Sequence, residues 1–302
     1  MRKILIVLLM LFTITLTSCN NDKNESPIVV CTIFPQYDIV RSLAGEYVDL
    51  HMAVLPGVDT HNYDPSVDDM ILIKKSSLFV YTGDFMENWA STIGAPNPLD
   101  LSKVNGIELS QMEEKHEHHE HHEHHNHDID PHIWTSLTHL KYMVQAISEK
   151  LQAILPDHVD TIKTNEQTYL NKLDSIITEM NKIKEQAEGK TFYFGTPFAF
   201  YYLFKEFGLN YESVYVTCSM EVDPSIDDII EMNNNIVKNN VPVLFVKELT
   251  SRDVAESIVL GTNCQIVELH SGHNLSKQDF ENGVTLLSLI EKNVNALKRA
   301  LV

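Results

Sequence analysis

Residues 27–55 read PIVVCTIFPQYDIVRSLAGEYVDLHMAVL. Pro27–Ile33 (PIVVCTI) is a short apolar run rich in β-branched residues, the mark of a buried strand. Tyr37–Ala44 (YDIVRSLA) follows with helical spacing, and Gly45 ends it. Val48–Leu55 (VDLHMAVL) is a second strand. Continuing outward, Pro65–Lys75 reads as a helix with Asp64 or Ser66 near its start. Ser77–Tyr81 (SLFVY) is a strand ending at Thr82-Gly83, and Phe85–Ile93 is a further helix. This βαβα alternation predicts a parallel sheet covered by helices.

The same alternation returns after residue 190. Thr191–Phe194, Ser213–Thr217, Val243–Lys247 and Gln265–Leu269 read as strands. Phe198–Phe207 (ending at Gly208), Ser225–Lys238, Ser251–Leu260 and a closing Asp279–Leu301 read as helices. Between the two halves, Ser136–Lys190 is helical and Pro156 divides it, with Asp157 placed to cap the second piece. In that piece Val159, Ile162, Tyr169, Leu170, Leu173, Ile176, Ile177, Met180 and Ile183 recur at three- and four-residue steps. Its roughly 30 residues make about 45 Å of helix, longer than one small lobe is wide. Gly189 ends it. The expected fold is α/β: two β/α lobes with parallel sheets, joined by a long rigid spine helix.

The N-terminus lies outside this fold. Arg2 and Lys3 precede an apolar run, Ile4–Leu16, too short to span a bilayer with ease, and Leu16-Thr17-Ser18-Cys19 closes it. That order is a lipoprotein signal, with cleavage expected before Cys19 and acylation of its sulfur. Acyl chains supply about 0.8 kcal/mol per buried CH₂, so two or three hold a soluble domain at a membrane. Residues 20–26 (NNDKNES) read as a flexible tether. The expected divisions are a signal at 1–18, a lipidated tether at 19–26, an N-terminal lobe at 27–135, linking helices at 136–189 and a C-terminal lobe at 190–302. The N-terminal lobe includes a disordered His-rich loop, 113–127. The folded length leaves room for two lobes with separate cores.

The net charge of −19 becomes −21 once the signal leaves, because residues 1–18 contain Arg2 and Lys3 and no acid. Such a chain repels nucleic acid and anionic lipid headgroups and attracts cations. Cys31, Cys218 and Cys264 remain after Cys19 is used, which is no disulfide framework.

Histidines carry the chemistry. Eight of the fifteen lie in HEHHEHHEHHNH: His116, His118, His119, His121, His122, His124, His125 and His127. Neutral imidazole binds zinc, copper and nickel, and Glu117, Glu120 and Glu123 add negative charge. A tract with no apolar residue holds no fixed tetrahedron, so it is expected to be an accessory metal loop of moderate affinity. His61 and His132 sit in more specific settings. His61 is in Pro56-Gly57-Val58-Asp59-Thr60-His61-Asn62-Tyr63-Asp64-Pro65, between a strand and a helix. His132 is in Asp128-Ile129-Asp130-Pro131-His132-Ile133-Trp134. Both belong at strand carboxyl ends, where α/β sheets bind ligands.

Gly57-x-Asp59-x-His61-x-Tyr63-x-Pro65, then an acidic His-rich loop, then Asp130-Pro131-His132-Ile133-Trp134, resembles the metal-binding lipoproteins of zinc and manganese ABC importers. Thr32-Ile33-Phe34-Pro35-x-Tyr37-Asp38-Ile39-Val40 fits as well. Leu269-His270-Ser271-x-His273-Asn274-x-Ser276-Lys277, with Gly283-x-Thr285-x-Leu287-Ser288-Leu289 after it, resembles one branch of that family. The likeness covers essentially the whole mature chain. It implies metal ligands at His61 and His132, in a cleft between the lobes. It implies a third ligand at the start of the second lobe's first helix, where Phe194-Gly195-Thr196-Pro197-Phe198 offers no His, Glu or Asp. The last ligand is implied in the loop after the final strand, at His270, with His273 three residues on. Cys218 and Glu221, in another βα loop of the second lobe, compete with His273 for the fourth place. Glu248 either orients a ligand or is a plain surface carboxylate, and Trp134 and Tyr63 are expected to wall the cleft.

Three imidazoles favour Zn²⁺ over Mn²⁺, which prefers more oxygen ligands. The expected function is a high-affinity extracytoplasmic zinc receptor. It would be a monomer that delivers the ion to the membrane permease of an ABC importer while anchored to the bilayer through Cys19. It is not expected to be an enzyme. The alternatives are a metal-storage or adhesin-type surface lipoprotein, or a zinc-dependent hydrolase using an open fourth coordination position.

Overall fold

A computed structural model describes residues 26–58, 60, 63–111, 129–215 and 223–301. The signal segment, Cys19, His61, the His-rich loop, Cys218 and Glu221 lie outside the described residues. Strands β1 (Ile28–Cys31), β2 (Asp49–Met52), β3 (Leu78–Tyr81) and β4 (Pro98–Asp100) form one sheet in the order β2-β1-β3-β4. Strands β5 (Thr191–Phe194), β6 (Asn210–Ser213), β7 (Val243–Lys247) and β8 (Gln265–Leu269) form another in the matching order β6-β5-β7-β8. Every pairing is parallel. Helices α1 (Phe34–Ala44) and α2 (Val67–Lys75) belong to the first lobe. Helices α3 (Leu137–Ile154) and α4 (Val159–Gln186) link the lobes. Helices α5 (Tyr201–Phe207), α6 (Ile226–Asn239), α7 (Asp253–Val259), α8 (Lys277–Glu281) and α9 (Leu286–Arg299) complete the chain. The expected α/β fold with two parallel-sheet lobes and a spine is the observed one, the spine being the 28-residue α4.

Four elements depart from the sequence reading. Phe85–Ile93 forms turns and one short 3-10 turn, Ala90–Thr92, rather than a helix. Glu87 explains it: its carboxylate turns inward to accept from Thr82 N at 3.1 Å, Gly83 N at 3.0 Å and the Thr32 hydroxyl at 2.5 Å. Strand β4 is only three residues and begins with proline, which suits a sheet edge and leaves no periodicity to read. Strand β6 lies three residues earlier than expected, because its half-exposed side chains hide the strand behind polar residues. Residues 216–217 of the expected strand lie outside the described residues. The closing helix is broken into α8 and α9 at Gly283, whose φ of +70° a residue with a Cβ rarely adopts. Thr285 then caps α9 by accepting from Ser288 N.

The two lobes share their largest core, and each also keeps a smaller buried cluster of its own, with Val30, Ile73, Phe79 and Tyr81 in the first and Tyr193, Leu244, Val246 and Ile258 in the second. A single cluster of buried side chains runs from Val29, Cys31 and Leu78 through Leu140, Met143 and Ile147 of α3 and Leu173, Ile176 and Met180 of α4. It continues to Phe192, Phe194 and Phe245 in the second sheet. The reason is geometric: α4 packs against α1, α3 and α9 together, so both lobes bury their inner faces on the same helices. A buried polar clasp reinforces this union. Asp38 of α1 accepts from Leu286 N at 2.7 Å and pairs with Arg41 at 2.5 Å, while Arg41 donates to Val284 O at 2.8 Å.

Candidate metal centre

In both sheets the middle strands run parallel, so their carboxyl ends leave crevices where loops converge. The His132 loop and the loops after β2 and β8 meet at that end.

His132 is fully buried just before the turn Ile133–Thr135 that leads into α3. Asp130 fixes its state. One carboxylate oxygen, Oδ1, accepts from His132 N at 2.8 Å and faces His132 Nδ1 at 2.9 Å. A carboxylate can only accept, so Nδ1 carries the proton and the lone pair falls on Nε2. A carboxylate behind a histidine in this way is the arrangement that orients metal-binding imidazoles and raises their basicity. Tyr202 anchors the loop from the other lobe by donating its hydroxyl to Asp130 O at 2.9 Å.

His273 comes from the loop after β8. Its ring meets that of His132 edge-on, with centroids 5.4 Å apart and planes at 83°. Trp134 completes a three-ring cluster, 5.4 Å from His132 and 5.3 Å from His273. The indole N–H is spent on Ser271 O at 2.9 Å, so Trp134 serves as an apolar wall. Thr60, from the loop after β2, places its hydroxyl against Nε2 of His273 and 3.4 Å from Nδ1. His61 is the next residue along the chain.

His270 has a different setting. Its Nδ1 accepts from Gly272 N at 3.0 Å, so a neutral ring carries its proton on Nε2 and keeps no lone pair for a cation in that tautomer. Its backbone is gripped by Asn293, which accepts from His270 N at 2.8 Å and donates to His270 O at 2.7 Å. Glu248 lies 3.9 Å from Nδ1. That carboxylate is buried and holds the loop by accepting from Ser271 N at 2.8 Å and the Ser271 hydroxyl at 2.5 Å.

Thr196 is buried where the resemblance implies a third ligand, and its hydroxyl accepts from Lys247 N at 2.8 Å. Tyr63 donates to Asp69 at 2.7 Å. Burial pushes the Cys264 thiol up to about 11 and the Cys31 thiol higher still, so both stay protonated and poor as ligands at neutral pH.

Among the described residues, no three His, Cys, Asp or Glu side chains converge on one point. The convergence among them is a pair, His132 and His273, with the Thr60 hydroxyl beside it. Two contributors were not singled out in the sequence. Asp130 was legible from its i,i+2 spacing to His132. Asn274 was not: its Oδ1 accepts from Gly57 N at 3.2 Å and its Nδ2 donates to Val58 O, so it ties the β8 loop to the β2 loop.

The model of the ZnuA family, described as the periplasmic component A of a zinc-uptake complex, matches residues 29–300. The chain belongs to this family. Among relatives, the zinc-binding lipoprotein AdcA of Streptococcus pneumoniae is 28% identical over 309 residues, covering 99% of this chain and 61% of that protein. This ZnuA-family chain therefore spans about three-fifths of the length of AdcA. The high-affinity zinc uptake system protein ZnuA of Bacillus subtilis is 27% identical over 288 residues, covering 93% of this chain and 90% of that one. In three dimensions, the metal-dependent lipoprotein YcdH of Bacillus subtilis superposes with a TM-score of 0.77 at 25% identity, over 91% of this chain and all of that one. No helix among the described residues is long and apolar enough to cross a membrane.

Proposed function

We propose that this chain is an extracytoplasmic zinc receptor that passes its ion to the permease of an ABC importer. The observation that carries the reading is the His132–His273 pair. One imidazole is held by Asp130 in the metal-binding tautomer, the other comes from the opposite lobe, and membership of a zinc-uptake family gives the pair a purpose. We assign His61, His132 and His273 as ligands. Glu221 and Cys218 are the candidates for the remaining position, and His270 acts from behind as part of the Glu248–Ser271–Asn293 network. Three nitrogen donors suit zinc better than manganese. Here zinc is cargo, so the residues must hold it without reacting with it, and a closed nitrogen-rich sphere does that better than an open hydrolytic one.

Acylation at Cys19 would keep the monomer at the outer face of the membrane, where the permease is met. The histidines at residues 116–127 would collect zinc at moderate affinity as an accessory to the specific site. The sequence supports both, and the relatives named as lipoproteins are in keeping with the anchor.

The test is calorimetry and native mass spectrometry of residues 20–302 with zinc, manganese, nickel and copper. It is repeated on His61→Ala, His132→Ala, His273→Ala and His270→Ala. One tight zinc equivalent is expected. The first three variants should lose most affinity and His270→Ala should lose less. Manganese as the tight ion would overturn the assignment, as would tight binding that survives loss of both His132 and His273. Storage or adhesion as the sole role is tested by removing residues 116–127. Tight binding should persist, whereas its complete loss would favour storage by the loop.

A further inference from the structure

Helix α5, in the second lobe, grips the His132 loop of the first lobe at both ends. At the upstream end, the isolated antiparallel bridge between Gln111 and Ile129 sets Ser110 opposite Asp130. In a hydrogen-bonded pair of a regular ladder the two residues exchange both backbone bonds. Only one is direct here, from Asp130 N to Ser110 O at 3.0 Å. The return bond runs through the Tyr202 hydroxyl, which accepts from Ser110 N at 3.1 Å and donates to Asp130 O at 2.9 Å. Tyr202 is buried, with its ring centroid 5.4 Å from that of His139. Burial raises its phenol above the ordinary value, so the hydroxyl keeps the proton it donates.

At the downstream end the carboxylate of Glu206, one turn after Tyr202 on the same helix face, meets the start of α3. Its Oε2 accepts from the Ser136 hydroxyl and from Leu137 N, both at 2.8 Å. Its Oε1 accepts from the Thr138 hydroxyl at 2.6 Å and from Thr138 N at 3.2 Å. Ser136 already serves as the N-cap of that 18-residue helix, accepting from His139 N at 3.0 Å. Helix initiation therefore does not call for a carboxylate from another lobe. What the two grips have in common is the segment between them, residues 130–138, which carries Asp130, His132 and Trp134. The second lobe also holds the other ring of the pair, since Glu248 and Asn293 fix the loop that carries His273. Trp134 joins the two loops by donating its indole N–H to Ser271 O.

We propose that α5 is the positioning element of the metal centre, with Tyr202 and Glu206 holding His132 in its zinc-binding pose from the opposite lobe. The inference rests on the receptor reading above, in particular on His132 as a ligand, and names what fixes that ligand. Both backbone groups of Asp130 are engaged, its N–H by Ser110 and its carbonyl by Tyr202. The residue can then turn little, and its Oδ1 stays within reach of His132 N and Nδ1. The bonds from Ser136–Thr138 to Glu206 hold the other side of the turn. Both imidazoles of the pair thus share one frame, the second lobe, and their spacing does not depend on how the first sheet sits. Ligands fixed in this way lose less freedom when the ion arrives.

The experiment compares Tyr202→Phe, Glu206→Gln and the double variant of the mature chain with Ser148→Ala as a reference. Ser148 is buried about 18 Å further along α3, and its hydroxyl also accepts one bond, from Gln152, and donates one, to Glu166. Its loss reports the cost of removing such a hydroxyl away from the metal. Zinc affinity is measured by competition with a chelator, stability by urea midpoint, and the His132 ring by NMR of nitrogen-labelled histidine in the metal-free protein. Tyr202→Phe should bind zinc roughly three- to tenfold more weakly, less than the 10–100-fold loss for a group that touches the ligand itself. Glu206→Gln should lose less, and the double variant more than either. The two ring-nitrogen signals of His132, identified by their loss in His132→Ala, should draw together in Tyr202→Phe as the second tautomer becomes populated. Ser148→Ala should lower the urea midpoint and leave zinc affinity and the His132 signals unchanged. Native affinity in Tyr202→Phe would overturn the positioning role and leave the receptor reading standing. An equal loss in Ser148→Ala, or a loss in Tyr202→Phe with no change at the His132 ring, would overturn it as well. Native affinity in His132→Ala would remove the ligand assignment and this inference together.

Discussion

Replacing Asp130 should weaken zinc binding without removing a ligand. A single oxygen of Asp130 receives both the backbone and the ring N–H of His132, at 2.8 and 2.9 Å. In Asp130→Ala both donors lose their acceptor inside a fully buried pocket, and the ring is no longer held with its lone pair on Nε2. Losing a partner of this kind behind a metal ligand costs about 10–100-fold in affinity, roughly 1.4–2.8 kcal/mol. Leaving a buried donor unsatisfied also costs about 1–3 kcal/mol of stability in the metal-free protein. Asp130→Asn keeps an accepting oxygen but loses the charge, so it should fall between Ala and the native residue. Competition with a chromophoric zinc chelator measures the affinity, and urea unfolding of the metal-free protein measures the stability. A folded Asp130→Ala protein that binds zinc as tightly as the native one would refute the argument, since the tautomer of His132 would then be irrelevant to binding.

Three further outcomes follow from the same geometry. Asn274→Ala removes two bonds between the β8 and β2 loops, worth about 1–2 kcal/mol together. Zinc should then dissociate up to roughly five- to thirtyfold faster in stopped-flow chelator traps, and an unchanged rate would mean that the loops are held by other contacts. Glu87 is buried, and burial raises its carboxyl above the ordinary value although Thr32 and the Gly83 and Thr82 amides pull it down. A raised acid binds more protons folded than unfolded, so its contribution is largest below the unfolded value and declines as pH rises through the folded one. The stability of the native protein relative to Glu87→Gln should therefore improve as pH falls from 7 to 4, and a gap in urea midpoints that is widest at pH 7 would contradict this. Because both lobes pack on α3, α4 and α9, metal-free and zinc-loaded crystals should differ in loops and hardly in lobe angle; a large rigid-body closure would count against the shared core as a brake.

What could be read from the chain depended on how local each signal was. Val243–Lys247 was legible to the residue because a central, deeply packed strand shows as an apolar run, and the edge strand Gln265–Leu269 because its buried Val267 and Leu269 alternate with the exposed Glu268. The spine was legible because 28 residues allow many repeats of one stripe. Strand β6 and the Phe85–Ile93 segment were not, since one hides behind polar side chains and the other is set by a long-range bond between Glu87 and Thr32. The shared core was also hidden, because periodicity says that a helix face is buried without saying against what. At the candidate site, His132 could be found from its proline-framed loop. The different settings of His270 and His273 could not, because the hydrogen bond from Gly272 to one ring depends on the fold of the loop, and the approach of Thr60 and His132 to the other exists only once the lobes meet.

The central claim is that one zinc ion sits between the lobes on His132 and His273. The most direct measurement is a crystal structure of the zinc-loaded protein lacking residues 116–127, with the metal located by anomalous scattering at the zinc edge. The account predicts a single full-occupancy zinc about 2.0–2.1 Å from Nε2 of His132 and from one ring nitrogen of His273, with His61 alongside and His270 still accepting from Gly272. A zinc bound through His270 and Glu248, or no ordered zinc in the cleft, would contradict it.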